Sequence, residues 1–592
     1  MEIASPPSRT NVADKLTAIA ARMPVAVAIA TPGSGDVAGK NAYATCTFGE
    51  LEADSLALAR GLLDLGVRPG QRLVLLVKPG IEFVKLVFAL LRTGAVTVLV
   101  DPGMGRKHLM NCLAAAEPDG FIAISPAQGV RAVLRRRFPK AKLNVTVGRR
   151  WFWGGVTYRQ LLDRGRRSHA EFPETNANDD AAIIFTSGST GPPKGVLYTH
   201  QMFDTQAAEI ERQYGIVPGG ADLACFALFG LFNSAMGVTT VFPRMDFSRP
   251  ASAEPRELLA AANDWQVSQA FASPAVWDRL SRHCQATGER IPTLRNVFSC
   301  GAPVPAAVLE RTLAMVHPEA RMHTPYGATE SLPVATIEAR EVLGETAVRT
   351  RNGAGVCVGR KFDTIDWRVI KISDEPIASI DNAEELPIGE IGELIVRGPQ
   401  ISPAYVVGLR ATNCEMRDEQ NTRNAQLATH NSSSKIADGD TVWHRIGDVG
   451  YLDDQGRLWY CGRKSQRVET RNGPLFTAPI EEVFNGLPGV NRSALVGVGP
   501  CGNQLPVIVI EPSALDIVGN TESCQAKQSE LIEHWRQIEP RLDALWYAPH
   551  GYVPLEGTLF YPGLPVDVRH NSKINREQLA VFATQALNER GR

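Results

Sequence analysis

The densest grouping of chemically useful side chains lies over residues 186–194. Thr186, Ser187, Ser189 and Thr190 alternate with Gly188 and Gly191, and Pro192 and Pro193 lead into Lys194. Glycines let backbone N–H groups approach phosphate oxygens without side-chain interference. The hydroxyls add donors, and the lysine adds a point charge. Together they suit phosphate oxygens. The loop is not a Walker A: Pro193 rather than glycine precedes Lys194, and Gly195 follows where a magnesium-binding Ser or Thr would stand. A merely flexible turn would need neither so many donors nor this order.

Such a loop needs a strand to deliver it, and the apolar run Ala182-Ile183-Ile184-Phe185 reads as one. Further upstream, Thr47 and Glu50 form a capping box; Leu51, Leu58, Leu62 and Leu65 follow at helical spacing, and Gly66 stops the helix. Pro69-Gly70 marks a turn. A buried strand is expected over 73–77, a helix over 83–92 and a strand over 96–100, ending at Asp101-Pro102. Strand, helix, strand is a parallel βαβ unit, so the fold class is α/β. Residues 411–440 turn polar around Asn431-Ser432-Ser433-Ser434 and predict a long mobile loop. After Cys461-Gly462-Arg463-Lys464 the remaining ~130 residues suit a small α+β domain.

At 592 residues the chain is long enough for a few domains. Lys+Arg is 62 and Asp+Glu 63, a net charge of -1, so no global field holds nucleic acid or an anionic membrane. Locally, residues 131–167 are basic, with Arg135-Arg136-Arg137, Arg149-Arg150 and Arg166-Arg167 beside Trp151 and Trp153. That stretch is either a solvated face or a docking surface for an anionic partner or membrane. The ten cysteines are scattered without a C-x-x-C pair, which argues against a zinc site or disulfide framework and for a reducing compartment. No signal peptide is read at the N-terminus. The greasiest stretch, 83–100, is broken by Lys85, Arg92 and Thr93-Gly94, and reads as a buried helix and strand rather than a membrane span. A cytoplasmic protein is expected.

The loop over 186–195 resembles the signature of the adenylate-forming superfamily of acyl-CoA synthetases, luciferases and peptide-synthetase adenylation domains. Further similar segments follow in that superfamily's order over about residues 12–585. They are Ser299-Cys300-Gly301-Ala302-Pro303, Tyr326-Gly327-Ala328-Thr329-Glu330, Gly392-Glu393-Leu394-Ile395-Val396-Arg397-Gly398, Gly447-Asp448 with Gly450, Gly462-Arg463-Lys464, and Lys573-Ile574-Asn575-Arg576. Two positions depart from the pattern: Ile446 stands for a threonine and Ser572 for a glycine. The resemblance implies a large N-terminal domain, 1–463, of two mixed or parallel sheets flanked by helices plus a distorted β-barrel. A small mobile α+β domain, 464–592, would follow and carry the catalytic lysine.

It also implies roles. ATP would be bound by Thr186, Ser187, Gly188, Ser189, Thr190, Gly191 and Lys194, with Gly301, Ala302 and Pro303 along the adenine. Tyr326 would stack on the base, with Gly327 and Thr329 beside it. Glu330 would hold Mg2+, a hard cation that prefers carboxylate oxygen. Asp448 would accept from the ribose hydroxyls and Arg463 would contact the ribose. Lys573, Glu330 and Thr190 are the candidate catalytic residues, with Lys573 bridging substrate carboxylate and α-phosphate.

Segments 324–335, 442–451, 462–470 and 565–574 are similar, more narrowly, to the β-lactone synthetases of bacterial long-chain olefin biosynthesis. That resemblance implies a long-chain 2-alkyl-3-hydroxy fatty acid as substrate, adenylated and then closed by its own β-hydroxyl to a β-lactone. It also implies assembly with an α/β-hydrolase and a short-chain reductase. Two departures from acyl-CoA synthetases fit. Gly230 stands where many carry a histidine, leaving space for a second chain, unless this is ordinary core drift. Pro474 falls in the segment lining their pantetheine tunnel. For ring closure His444, His323 and His570 are candidate bases, or else structural hydrogen-bonders. Asp54-Ser55-Leu56 looks like a phosphopantetheine site but sits inside the capped helix, and is rejected. The rivals are an AMP-forming fatty acyl-CoA ligase and a non-catalytic nucleotide-binding scaffold, the latter disfavoured by the presence of Lys194, Glu330, Asp448 and Lys573 together.

Overall fold

The computed structural model describes residues 10–37, 40–185, 194–406, 433–439, 441–513, 530, 533, 557–566 and 574–590. These form a mixed α/β structure in which two largely parallel sheets and one antiparallel sheet supply most of the core. In the first sheet the strand order is Tyr405–Val406, Gly195–Thr199, Asp180–Phe185, Val96–Val100, Arg72–Leu76, Gly120–Ile124, Leu143–Val147, Val156–Thr157. Gly195–Thr199 turns back antiparallel on Asp180–Phe185, with Phe185 opposite Gly195. The two residues that bracket the phosphate loop are thereby fixed at one end of the sheet.

The expected βαβ unit is present as Arg72–Leu76, helix Ile81–Arg92 and Val96–Val100, with Leu73 beside Thr97 in parallel. The helix Phe48–Leu65 starts at the reciprocal Thr47–Glu50 capping box and ends at Gly66, whose φ of 102° suits glycine. Lys85 and Arg92 do lie in the core, each neutralised by a carboxylate: Lys85 Nζ is 2.7 Å from Asp54 and Arg92 Nη2 2.5 Å from Glu52. No helix among the described residues is long and apolar enough to cross a membrane. Ser55 is buried with its hydroxyl donated to the Glu52 carbonyl, in keeping with the rejected attachment site.

The second sheet runs Arg321–His323, Asn296–Ser299, Gln269–Ala272, Ala221–Ala224, Thr239–Val241, Val27–Val37, Lys40–Thr47, parallel except for the last pair. The third, in the place expected of the distorted barrel, is antiparallel and includes Tyr326–Ala328, Ser331–Thr336, Leu458–Arg463, Thr441–Leu452 and Gly392–Arg397. Lys435–Asp438 joins it, pairing with Thr441–Leu452. This corrects the expectation of a loop throughout 411–440. Ile436 is fully buried against Ile370, Ile395 and Trp443, so one apolar side chain anchors an otherwise polar strand; residues 411–432 lie outside the described set. Beyond Arg463 come a hairpin of Val468–Thr470 and Gly473–Leu475, helix Thr477–Asn485, strands Val490–Val498, Leu505–Pro512 and Gly557–Phe560, and helix Arg576–Arg590. Ile480, Val483, Phe484, Leu495 and Ile508 form a core cluster there.

Candidate active site

A cavity of about 1580 Å3 is lined by residues of all three large sheets. One group of lining residues is apolar. Phe83, Val87 and Leu91 come from helix Ile81–Arg92, and Phe229, Leu231 and Phe232 from helix Phe229–Met236. The other group is polar: Lys194, Gly301, Gly327, Thr329, Glu330 and Arg463. The strand pairing explains why the second group converges. Asp448 and Arg463 are direct partners on antiparallel strands, and Arg463 Nη1 lies 3.0 Å from Asp448 Oδ1. The same guanidinium donates to the Ile446 carbonyl at 3.1 Å. Tyr326 donates its hydroxyl to Asp448 Oδ2 at 2.5 Å. The carboxylate of Asp448 holds Arg463 above its usual pKa, and burial, then Asp448, raise the Tyr326 phenol.

Glu330 sits at the start of this polar wall. Tyr405, from the edge strand of the first sheet, donates to Glu330 Oε1 at 2.8 Å, and Lys194 Nζ lies 5.1 Å from the Tyr405 ring centroid. Tyr198 donates to the Thr329 carbonyl at 2.5 Å, tying the same segment to the phosphate-loop hairpin. Glu330 and Lys194 both line the cavity; a carboxylate oxygen suits magnesium and an ammonium suits the phosphates it would accompany. Gly301 has φ 98°, a conformation only glycine adopts freely. Ala302 and Pro303 adjoin it without lining the cavity. Thr186, Ser187, Gly188, Ser189, Thr190, Gly191 and Lys573 lie outside the described residues.

Tyr405 and Lys435 carried no sequence signal, and the motif that contains Glu393 did not show what its carboxylate binds. Tyr405 is a lone tyrosine until its hydroxyl is seen on Glu330. Glu393, fully buried, binds Arg445 through Nε at 3.0 Å and Nη2 at 2.6 Å, and also takes Lys464 Nζ at 3.0 Å on both oxygens. Lys435 donates to the Ser402 carbonyl. Burial pushes its pKa down to about 7, against the pull of Glu330. A lysine with a folded pKa near 7 and an unfolded one near 10.5 is destabilising while charged in both states, below pH 7. As pH rises from 7 to 10.5 the unfolded chain holds the extra proton, so wild type should gain stability relative to Lys435→Met. Denaturant titrations at pH 7 and 9.5 check the sign.

Two points that the sequence left with alternatives take one of them in the structure. Gly230 does not open space toward the cavity. A β-carbon there would sit 2.9 Å from Thr240 Cγ2 and 3.1 Å from Phe242 Cζ, so the glycine lets helix Phe229–Met236 pack closely on the second sheet. Gly230→His should therefore lower stability by about 1–3 kcal/mol through overpacking, read in thermal unfolding. Nor do His444 and His323, the two candidates among the described residues, line the cavity. His444 is buried, its Nδ1–H donated to the Ser434 carbonyl at 3.1 Å, and burial followed by Lys435 takes its pKa well below the usual value. His323 packs on Tyr214 and Phe298, and burial pushes it down to about 4. His570 is outside the described residues, and no described histidine lines the cavity.

A family model described as "AMP-binding enzyme" matches residues 16–406, well over half the chain. The chain belongs to the AMP-binding enzyme family. Among AMP-binding enzymes it is 42% identical over 583 residues to an olefin beta-lactone synthetase of Stenotrophomonas maltophilia (strain K279a), covering 98% of this chain and 99% of that protein. It is 41% identical to an olefin beta-lactone synthetase of Xanthomonas campestris pv. campestris, over 97% of this chain and 98% of that one. The fold is shared with the amide bond synthetase McbA of Marinactinospora thermotolerans, at TM-score 0.72 and 20% identity, covering 97% of this chain and 99% of that chain. It is also shared with the o-succinylbenzoate CoA synthetase of Bacillus subtilis solved with its acyl-adenylate, at TM-score 0.68 and 18% identity, covering 98% of each chain. The chain is thus an adenylate-forming enzyme.

Proposed function

We propose that the enzyme uses ATP to adenylate a long-chain 2-alkyl-3-hydroxy fatty acid and then closes it to a β-lactone, releasing AMP and pyrophosphate. The observation that carries this is the cavity. Its roughly 1580 Å3 exceeds the ~300–1,000 Å3 of ordinary small-molecule pockets. Its phenylalanine and leucine lining suits two alkyl chains, and the same cavity contains Lys194, Glu330 and Arg463. The names of the two relatives point to the same product.

In this reading Lys194 and the hydroxyls of 186–191, Thr190 among them, hold the phosphates. Gly301, Ala302, Pro303, Gly327 and Thr329 border the adenine, on which Tyr326 stacks. Asp448, which accepts from Tyr326 and pairs with Arg463, would accept from the ribose hydroxyls. Glu330 would hold Mg2+, which when bound neutralises phosphate charge. Lys573, in the proposed 464–592 domain that follows the 1–463 domain, would stabilise charge on the α-phosphate as the substrate carboxylate attacks phosphorus. The β-hydroxyl oxygen then attacks the activated carbonyl within the same molecule, where effective concentration is large and no thiol is required; the bond from carbonyl carbon to phosphate oxygen breaks, and AMP leaves with the hydroxyl proton passing to it or to water. A cytoplasmic enzyme working beside an α/β-hydrolase and a short-chain reductase fits this product.

The test compares the 3-hydroxy acid with its 3-deoxy analogue, each with ATP and magnesium. The hydroxy acid should give continuous AMP release and a four-membered lactone. The analogue should give one enzyme equivalent of pyrophosphate and a retained adenylate. Equal, continuous AMP release from both would overturn the proposal.

A further inference from the structure

Residues 131–167 contain twelve Lys or Arg and one acidic residue, Asp163, in a chain whose total charge is -1. We infer that this region forms a docking surface for an anionic lipid bilayer, built from helix Ser125–Val133, the turn Arg135–Arg137 and the loop 148–155. The inference concerns an interaction surface and holds whichever acid the enzyme activates.

The fold brings these three pieces together at one place. Strands Gly120–Ile124 and Leu143–Val147 are parallel neighbours, so the helix that follows one and the loop that follows the other leave the sheet side by side. Buried Gln128 pins the helix to both strands, donating to the carbonyls of Phe121 at 3.0 Å and Val145 at 2.9 Å. Ser125 donates to the Arg149 carbonyl at 2.5 Å, and a β-carbon at Gly129 would lie 3.5 Å from the Trp153 ring. Trp153 is buried and donates its indole N–H to Thr146 at 3.0 Å, which anchors the loop. Stacked on it at 6.3 Å is Trp151, and Phe152 meets it edge-on at 5.3 Å.

Trp151 is 63% exposed and Phe152 79%. With Val130 and Val133 on the helix, they make four of the twelve exposed large apolar side chains among the described residues, which a scattered surface would not concentrate within 23 positions. Around them Arg135, Arg136, Arg137, Arg149 and Arg150 are exposed and have no carboxylate partner among the described residues. A merely solvated face would mix the signs of charge and keep indole and phenyl rings inside. Aromatic rings ringed by arginines that no described carboxylate neutralises match the interface of a bilayer, where amphipathic aromatics sit at the headgroups and arginines meet phosphate. An acidic protein would satisfy the charges but leave the rings without an apolar counterpart. The same helix also faces the cavity: Ile124 at its start and Ala127 within it line the acyl space. A bilayer held on its outer side is thus placed next to the compartment for an apolar substrate.

Co-sedimentation with vesicles of phosphatidylcholine alone, or of an equal mixture with phosphatidylglycerol, tests this. The full chain should bind the mixed vesicles, release in high salt, and ignore the neutral ones. Each arginine near a charged bilayer is worth about fivefold in partitioning, so the triple variant R135E, R136E, R137E should lose at least roughly a hundredfold. The double variant Trp151→Ala, Phe152→Ser should also bind more weakly. Both should keep wild-type ATP–pyrophosphate exchange with a water-dispersible acid, which reports an intact fold. Absence of wild-type binding to mixed vesicles, equal binding to neutral ones, or undiminished binding by either variant would overturn the inference. So would retention on immobilised polyglutamate with no vesicle binding, the behaviour of a site for an acidic protein.

Discussion

In a Lys573→Ala variant, ATP–pyrophosphate exchange should fall by about 100- to 1,000-fold while ATP still binds. As carboxylate oxygen attacks the α-phosphorus, negative charge accumulates on oxygens that the ground state shields less strongly. A fixed ammonium placed there acts on the transition state more than on bound ATP, so the loss belongs in the rate. In the proposed reading nucleotide binding has other sources: Lys194, Gly301, Glu330 and Arg463 line the cavity, and Asp448 pairs with Arg463. Lys573→Arg keeps the charge but replaces a compact ammonium by a planar fork, and should recover only part of the rate. Wild-type exchange in Lys573→Ala would remove the C-terminal segment from the chemistry.

Glu393→Ala should cost about 3–5 kcal/mol of folding stability, the usual consequence of leaving a buried partner charge uncompensated. The Glu393 side chain is fully buried and that of Arg445 is 2% exposed, so water cannot replace the lost partner. Lys464 shares the same carboxylate from the first residues beyond Arg463, and loses its anchor as well. A second variant separates charge from packing. If the penalty is an uncompensated guanidinium, Glu393→Leu combined with Arg445→Met should recover much of the loss in urea unfolding. A double variant as unstable as the single would place the cost in lost volume or backbone contacts instead.

What the sequence made legible was mostly local. The Thr47–Glu50 box, the Gly66 stop and strand Val96–Val100 stand as expected because each depends on residues a few positions apart. The order of the family segments located Tyr326, Glu330, Asp448 and Arg463, but not what each touches. Tyr326 and Asp448 are 122 positions apart and Tyr405 and Glu330 75, so their bonds depend on sheet register that no periodicity encodes. Gly230 left two readings open for the same reason. Its missing side chain suggested room, whereas Thr240 and Phe242, brought over by the second sheet, already fill that direction. Lys435 and Ile436 sat in a stretch too polar to read as a strand, until pairing with Trp443 and His444 buried them.

The most direct measurement is product formation from ATP, magnesium and a 2-alkyl-3-hydroxy acid, with and without coenzyme A, resolved by mass and infrared spectroscopy. A β-lactone and stoichiometric AMP should appear at the same rate in both reactions. AMP release that depends on coenzyme A, with a thioester as product, would contradict the lactone-forming role.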